Sequence, residues 1–188
     1  MGKKTEPLPA EILIVDDFNN GPAGTNNLGG ERGVWVDKPE AMDSDCVVSF
    51  DRKDKVGRQG YSLQLSYTVD SLRPSANGYW TKLNGLDARG YRWLVLSVKG
   101  NPKTKFTTQL KIELKNQDQI GVYEIKEITR RWKKIIIPLN QFAGITRFDN
   151  LTELTIDFEK NFVTSLKGEL NIDNIYFSTE ENPAANLR

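Results

Sequence analysis

The run Tyr61-Ser62-Leu63-Gln64-Leu65-Ser66-Tyr67-Thr68-Val69 alternates apolar and polar side chains over nine residues. A period of two puts every apolar group on one face of an extended chain, which is the signature of a half-buried β-strand. Gln109-Leu110-Lys111-Ile112-Glu113-Leu114-Lys115 alternates in the same way. The nearly continuous apolar runs at 91–98 and 135–139 predict strands covered on both faces. Further strands are expected at 12–18, 34–37, 46–50, 79–83, 122–128, 151–158 and 170–177. Turn chemistry separates them, as in Asn19-Asn20-Gly21-Pro22, Pro74-Ser75-Ala76-Asn77-Gly78 and Gly100-Asn101-Pro102.

No stretch of ten residues carries a helical period. About ten short strands with turn-rich gaps predict an all-β fold, a jelly-roll β-sandwich of two antiparallel sheets. The chain of 188 residues fits one such domain. We expect a lead-in at 1–11, the sandwich at 12–178 and a frayed tail at 179–188. A domain of this size buries roughly 70% of the surface of its unfolded chain, enough to form a core without staples.

Charge narrows the function. Lys+Arg total 26 against Asp+Glu 25, so a net charge of +1 gives no general attraction to nucleic acid or anionic lipid. Nucleic acid is therefore not an expected partner, and no apolar run is long enough for membrane insertion. The sequence has no histidine and a single cysteine, Cys46. The commonest general base, the commonest transition-metal ligand and any internal disulfide are thus missing. In the apolar run Cys46-Val47-Val48 the thiol is expected to be buried and inert. Any metal site must use oxygen ligands, which points to calcium. Met1-Gly2-Lys3-Lys4 precedes no apolar run of signal-peptide length. An extracellular or periplasmic setting is expected on the assumption that a leader has been removed.

The order of several motifs carries a resemblance. These are Ile14-Val15-Asp16-Asp17-Phe18, Asn27-Leu28-Gly29-Gly30, Tyr61 to Tyr67, and Asn77-Gly78-Tyr79-Trp80. They are followed by Trp132-Lys133-Lys134-Ile135-Ile136-Ile137-Pro138-Leu139 with Phe142, and by Ile172-Asp173-Asn174-Ile175. Over residues 12–178 the chain resembles a galactose-binding-like jelly-roll carbohydrate-binding module, nearest to the family 11 type that binds linear β-glucans. The resemblance implies a concave groove where aromatic rings stack on sugars and Arg and Asp side chains hold the hydroxyls. It implies a polysaccharide partner, most simply a β-glucan, and a monomeric, non-catalytic module. The Asn27-Leu28-Gly29-Gly30 segment resembles instead the related domain of complex I assembly proteins, which leaves an interaction domain without a sugar ligand as the alternative.

By that resemblance Tyr79 falls on a groove tyrosine, and Arg147 and Asp149 fall in a groove loop that lacks its tyrosine, since Asn150 follows. If Tyr79 lines the groove, alternation sends Trp80 to the core. Phe158 falls on another groove aromatic, although it shares parity with Leu154 and Ile156, so that plain alternation puts it in the core. Thr155 and Asp157 then face the other side, and if that side is the groove Asp157 is its polar contact. Trp35 follows a Gly-rich loop and reads as core or platform. Tyr123, beside Gly121, is a further groove candidate, whereas Trp93 and Trp132 read as core.

The resemblance also implies a structural calcium ion at Asp16, Asp17 and Asp173, with Asn19 assisting. The other reading of these residues is turn capping. Apolar alternation breaks at Asp173-Asn174, which predicts a bulge or a ligand there. Glu113 and Glu124 lie on neighbouring strands but outside the Glu-x-Asp-x-Glu pattern of jelly-roll hydrolases. Beside Lys111 and Lys115 they read as cross-strand ion pairs, and no enzyme is expected.

Overall fold

In the computed structural model, which describes residues 10–22, 24–37 and 43–181, the alternating segments pair into two antiparallel sheets. In chain order the strands are β1 (Ile12–Asp16), β2 (Arg32–Val36), β3 (Ser44–Asp51), β4 (Ser62–Val69), β5 (Ala76–Leu86), β6 (Trp93–Gly100), β7 (Leu110–Lys115), β8 (Ile120–Ile125), β9 (Lys133–Pro138), β10 (Leu151–Glu159) and β11 (Lys167–Ser178). Sheet A runs β3-β4-β11-β6-β9 with β1 also on β11, and sheet B runs β2-β5-β10-β7-β8. The fold is the expected jelly-roll β-sandwich. Among the described residues the only helical piece is a 3-10 turn at Leu139–Gln141, and no helix is long and apolar enough to cross a membrane. The first nine residues of the expected lead-in and residues 182–188 of the expected tail lie outside the described residues.

Alternation becomes packing directly. Leu63, Leu65, Tyr67 and Val69 of β4 point inward, as do Leu110, Ile112 and Leu114 of β7. Each such side chain removed from water contributes about 1.5–3 kcal/mol. The sheets meet ring on ring where Tyr67 of β4 stacks on Phe158 of β10, centroids 4.0 Å apart and planes 5° from parallel. Cys46 is 2% exposed, and burial pushes its thiol up to about 12, so it is an inert packing residue.

The break in alternation near the C-terminus is a β-bulge. β4 pairs with β11 over Lys167–Ile172, and β1 takes over along the same edge from Ile175 to Ser178. Between them Asn174 adopts φ 52° and the register with β6 shifts between Asp173 and Tyr176. The bulge lets one strand serve two partners on one edge.

Sheet A is closed on its outer side by the β3–β4 loop. Asp54 forms an ion pair with Lys99 and accepts a hydrogen bond from Trp132 Nε1 (3.1 Å). The Val56 N–H donates to Asp173 (2.8 Å). Trp132, expected in the core, is half-buried against this loop, and Trp93 is half-buried at the start of β6.

Candidate functional site

The outer side of sheet B is built differently. Its register places Trp35 of β2 opposite Gly78 of β5, and Gly33 of β2 opposite Trp80 of β5. Each indole lies across the glycine of the neighbouring strand. A methyl group on Gly33 would stand 2.9 Å from the Trp80 ring, and one on Gly78 would stand 3.0 Å from Trp35 Nε1. Trp80 Nε1 donates to the Val34 carbonyl (3.2 Å), which fixes its ring, and Lys82 Nζ lies 5.1 Å from the ring centroid. Both tryptophans are half-buried, so their rings form a partly exposed aromatic surface.

Charged side chains continue this face across β10 and β7. Trp80 is opposite Thr155, which is opposite Glu113; Gly78 is opposite Asp157, which is opposite Lys111. Every lysine of this stretch has a carboxylate partner: Lys82 to Glu153 (2.5 Å), Lys115 to Glu153 (3.2 Å) and Glu113 (3.4 Å), and Lys111 to Glu159 (2.6 Å). Burial alone would raise Glu153, but its bonds to Lys82 and Lys115 hold it below the usual carboxylate range. Burial would likewise lower Lys115, and Glu153 and Glu113 lift it above the ordinary value.

Asp157 sits beneath this layer. It is 2% exposed, and one oxygen accepts the Thr155 hydroxyl (2.8 Å). The other oxygen and Trp35 Nε1 flank Gly78, and neither makes a hydrogen bond of normal geometry. Burial, reinforced by the charge of Glu113, pushes the Asp157 carboxyl up to about 7. At neutral pH it is therefore partly protonated and can both donate and accept.

Several expectations are corrected here. Tyr79, expected as the groove platform with Trp80 in the core, is fully buried, edge-on to Phe18 (6.5 Å), and Trp80 takes the outer face. Tyr79 shares a row with Ile156 and Ile112, so its ring fills the interior, and burial raises its hydroxyl pKa. A signal for this was legible: Leu83 shares parity with Tyr79, while Gly78 and Lys82 share it with Trp80. Phe158 is fully buried on Tyr67, as its parity with Ile156 allowed. Tyr123 stands opposite Ile112 and packs on Phe142 (5.8 Å) on the inner side. Asp157 does face the outer side but is buried beneath the tryptophans and is not an exposed contact.

Trp35 belongs to the face; Arg147 and Asp149 lie beyond its end. Arg147 pairs with Asp118 (3.1 Å) and Asp149 (3.6 Å) beside the β7–β8 turn, past Lys115. Lys115 and Lys111, the neighbour of Asp157, are four residues apart, about 14 Å at strand rise. The Asn27-Leu28-Gly29-Gly30 segment has a local explanation. Asn26 accepts the Leu28 and Gly30 N–H groups and donates to Thr81 and Lys82, tying the β1–β2 loop to β5.

The residues expected to hold calcium do not fit that ion. Asp16 is paired to the buried guanidinium of Arg32 at 2.6 Å and also accepts the Phe18 N–H (2.9 Å). Arg32 is 6% exposed, donates to the Gly21 carbonyl and lies against the Phe18 and Phe50 rings (5.7 and 5.0 Å). Asp173 accepts the N–H groups of Val56 and Asn174 (both 2.8 Å), and burial pushes it up to about 7. Asp17 caps the Asn19 N–H (3.1 Å), and the Asn19 side chain packs against Gly60. Among the described residues no three acidic or thiol side chains gather to hold a metal. The cation already present at Asp16 is an arginine.

No protein-family model and no curated protein matches the sequence. Solved structures do match in three dimensions. A family 11 carbohydrate-binding module of a cellulosomal cellulase of Clostridium thermocellum aligns over 93% of this chain and 98% of its own, with a TM-score of 0.66 and 17% identity. The chain shares that fold. A family 11 module from Clostridium thermocellum in complex with a β-1,3-1,4-mixed-linked tetrasaccharide aligns over 89% and 95%, at TM-score 0.63 and 19% identity. The module CBM27-1 of Caldicellulosiruptor saccharolyticus, in complex with mannohexaose, aligns over 93% and 100%, at TM-score 0.58 and 14% identity.

Proposed function

We propose that the outer face of sheet B binds a neutral polysaccharide without catalysis, and that a linear β-glucan is its first candidate. The observation that carries this is the Trp35–Trp80 pair, two half-buried indoles laid on a sheet over glycines. A pyranose offers a flat face of C–H groups, and such rings give it matching area at little entropic cost. Lys82, Glu153 and Glu113 flank the rings with donors and acceptors for hydroxyls. Because these lysines are already neutralised by glutamates, the face favours an uncharged chain over a polyuronate. The mixed-linked tetrasaccharide and the mannohexaose held by two structural neighbours are uncharged sugars, which supports the same reading. An extracellular or periplasmic setting and a monomeric state belong to this proposal. Affinity electrophoresis against soluble mixed-linked β-glucan, xylan and mannan tests it. Retardation by at least one polymer, lost in Trp80→Ala, is expected; free migration on all of them sinks the reading.

A further inference from the structure

A cleft of about 430 Å³ opens at one end of the sandwich, away from the tryptophan pair. Its walls are Tyr91, Trp93 and Phe148, all half-buried, with Leu139 behind them. Its frame is fixed by backbone bonds. The Arg92 N–H donates to the Ser178 carbonyl (2.9 Å), the Arg92 carbonyl accepts the Leu139 N–H (2.9 Å), and the Phe148 carbonyl accepts the Ala88 N–H (2.7 Å). Tyr91 rests on Phe177 of the core, ring centroids 6.0 Å apart. A cleft held this way loses little entropy when it is filled.

Two guanidiniums stand at this cleft, and they differ. Arg89 forks onto Asp87, Nε to Oδ1 at 2.9 Å and Nη2 to Oδ2 at 2.6 Å. Arg92 is exposed, and no acidic side chain pairs with it among the described residues. On sheet B the lysines are matched by glutamates; here Arg92, which borders the same cleft as the three rings, has no acidic partner among the described residues. Aromatic walls take the apolar face of a sugar ring, and a planar guanidinium takes a carboxylate through two parallel hydrogen bonds.

We propose that this end cleft is a second site, which takes a single carboxylate-bearing sugar of the uronic-acid class at a chain end. Trp93 and Tyr91 stack on the ring and Arg92 holds its carboxylate. The inference is independent of the ligand on sheet B. It is tested by titrating the isotopically labelled full chain with glucuronate, galacturonate, glucose and acetate while following backbone amide signals. The uronates should shift Tyr91, Arg92, Trp93 and Phe148, and bind at least about tenfold more tightly than glucose, the worth of one charge-assisted contact. Arg92→Gln should erase that preference, Trp93→Ala should abolish the shifts, and Trp80→Ala should leave them unchanged. Equal shifts from glucose, equal shifts from acetate, or a uronate response that survives Arg92→Gln would each overturn the assignment.

Discussion

Trp35 lies across Gly78 of the neighbouring strand, where even a methyl group would stand 3.0 Å from its indole nitrogen. Trp80 does the same over Gly33 in the opposite direction. Each ring needs a position without a side chain beneath it, and the antiparallel register supplies one to each. Two large aromatic groups thereby lie half-buried on an outer face.

If that pair is the binding surface, Trp80→Ala and Trp35→Ala should each weaken polysaccharide binding by about 1–3 kcal/mol, the range of ring stacking on other platforms. Tyr79→Phe should leave binding unchanged, since Tyr79 is interior. Tyr79→Ala should cost about 3–5 kcal/mol of stability, as for other large core deletions. Calorimetric titration of each variant, alongside its thermal melt, separates the two effects.

The glycines give a finer test. On Gly33 the three atoms nearest an added methyl all belong to the Trp80 ring, so Gly33→Ala displaces that ring and should weaken binding more than it lowers stability. On Gly78 the methyl would also stand 2.1 Å from the Ile156 carbonyl, a backbone atom that cannot move alone. Gly78→Ala should therefore lower the melting temperature clearly, and equal melts for the two variants would contradict this geometry.

Asp157 makes stability depend on pH. Its carboxyl is raised from 3.8 to about 7, so from about pH 4 to 7 the folded chain holds a proton that the unfolded chain has released. Stability contributed by this group is present at low pH and falls as pH rises through that window, by at most a few kcal/mol. Asp157→Asn should melt above the wild type at pH 8 and close to it at pH 4.5. The difference between the two chains isolates Asp157 from Asp173, whose burial acts in the same direction.

With Arg32 as the cation at Asp16, excess chelator should leave the thermal melt unchanged. Arg32→Met removes the guanidinium and leaves Asp16 buried and unpaired, which should cost about 3–5 kcal/mol. A melt lowered by chelator in the wild-type chain would restore the calcium reading.

Much of the fold was readable because strand alternation is a local property. β4 and β7 declare their inner faces residue by residue, the lost alternation at Asp173-Asn174 marks the bulge, and the parity of Asp157 places it away from Ile156. Alternation states that Tyr79 and Trp80 point oppositely, and the parity of Leu83 with Tyr79 and of Lys82 with Trp80 is a local hint of which points inward, not the cause. That choice belongs to partners distant in sequence: Ile156 and Ile112 across one face, Gly33 and Trp35 across the other. The closure of sheet A by Asp54 and the guanidinium of Arg32 at Asp16 are likewise contacts between segments with no local pattern in common. Periodicity determined which residues share a face; only the register between strands, set by packing of the whole sandwich, decided what each face meets.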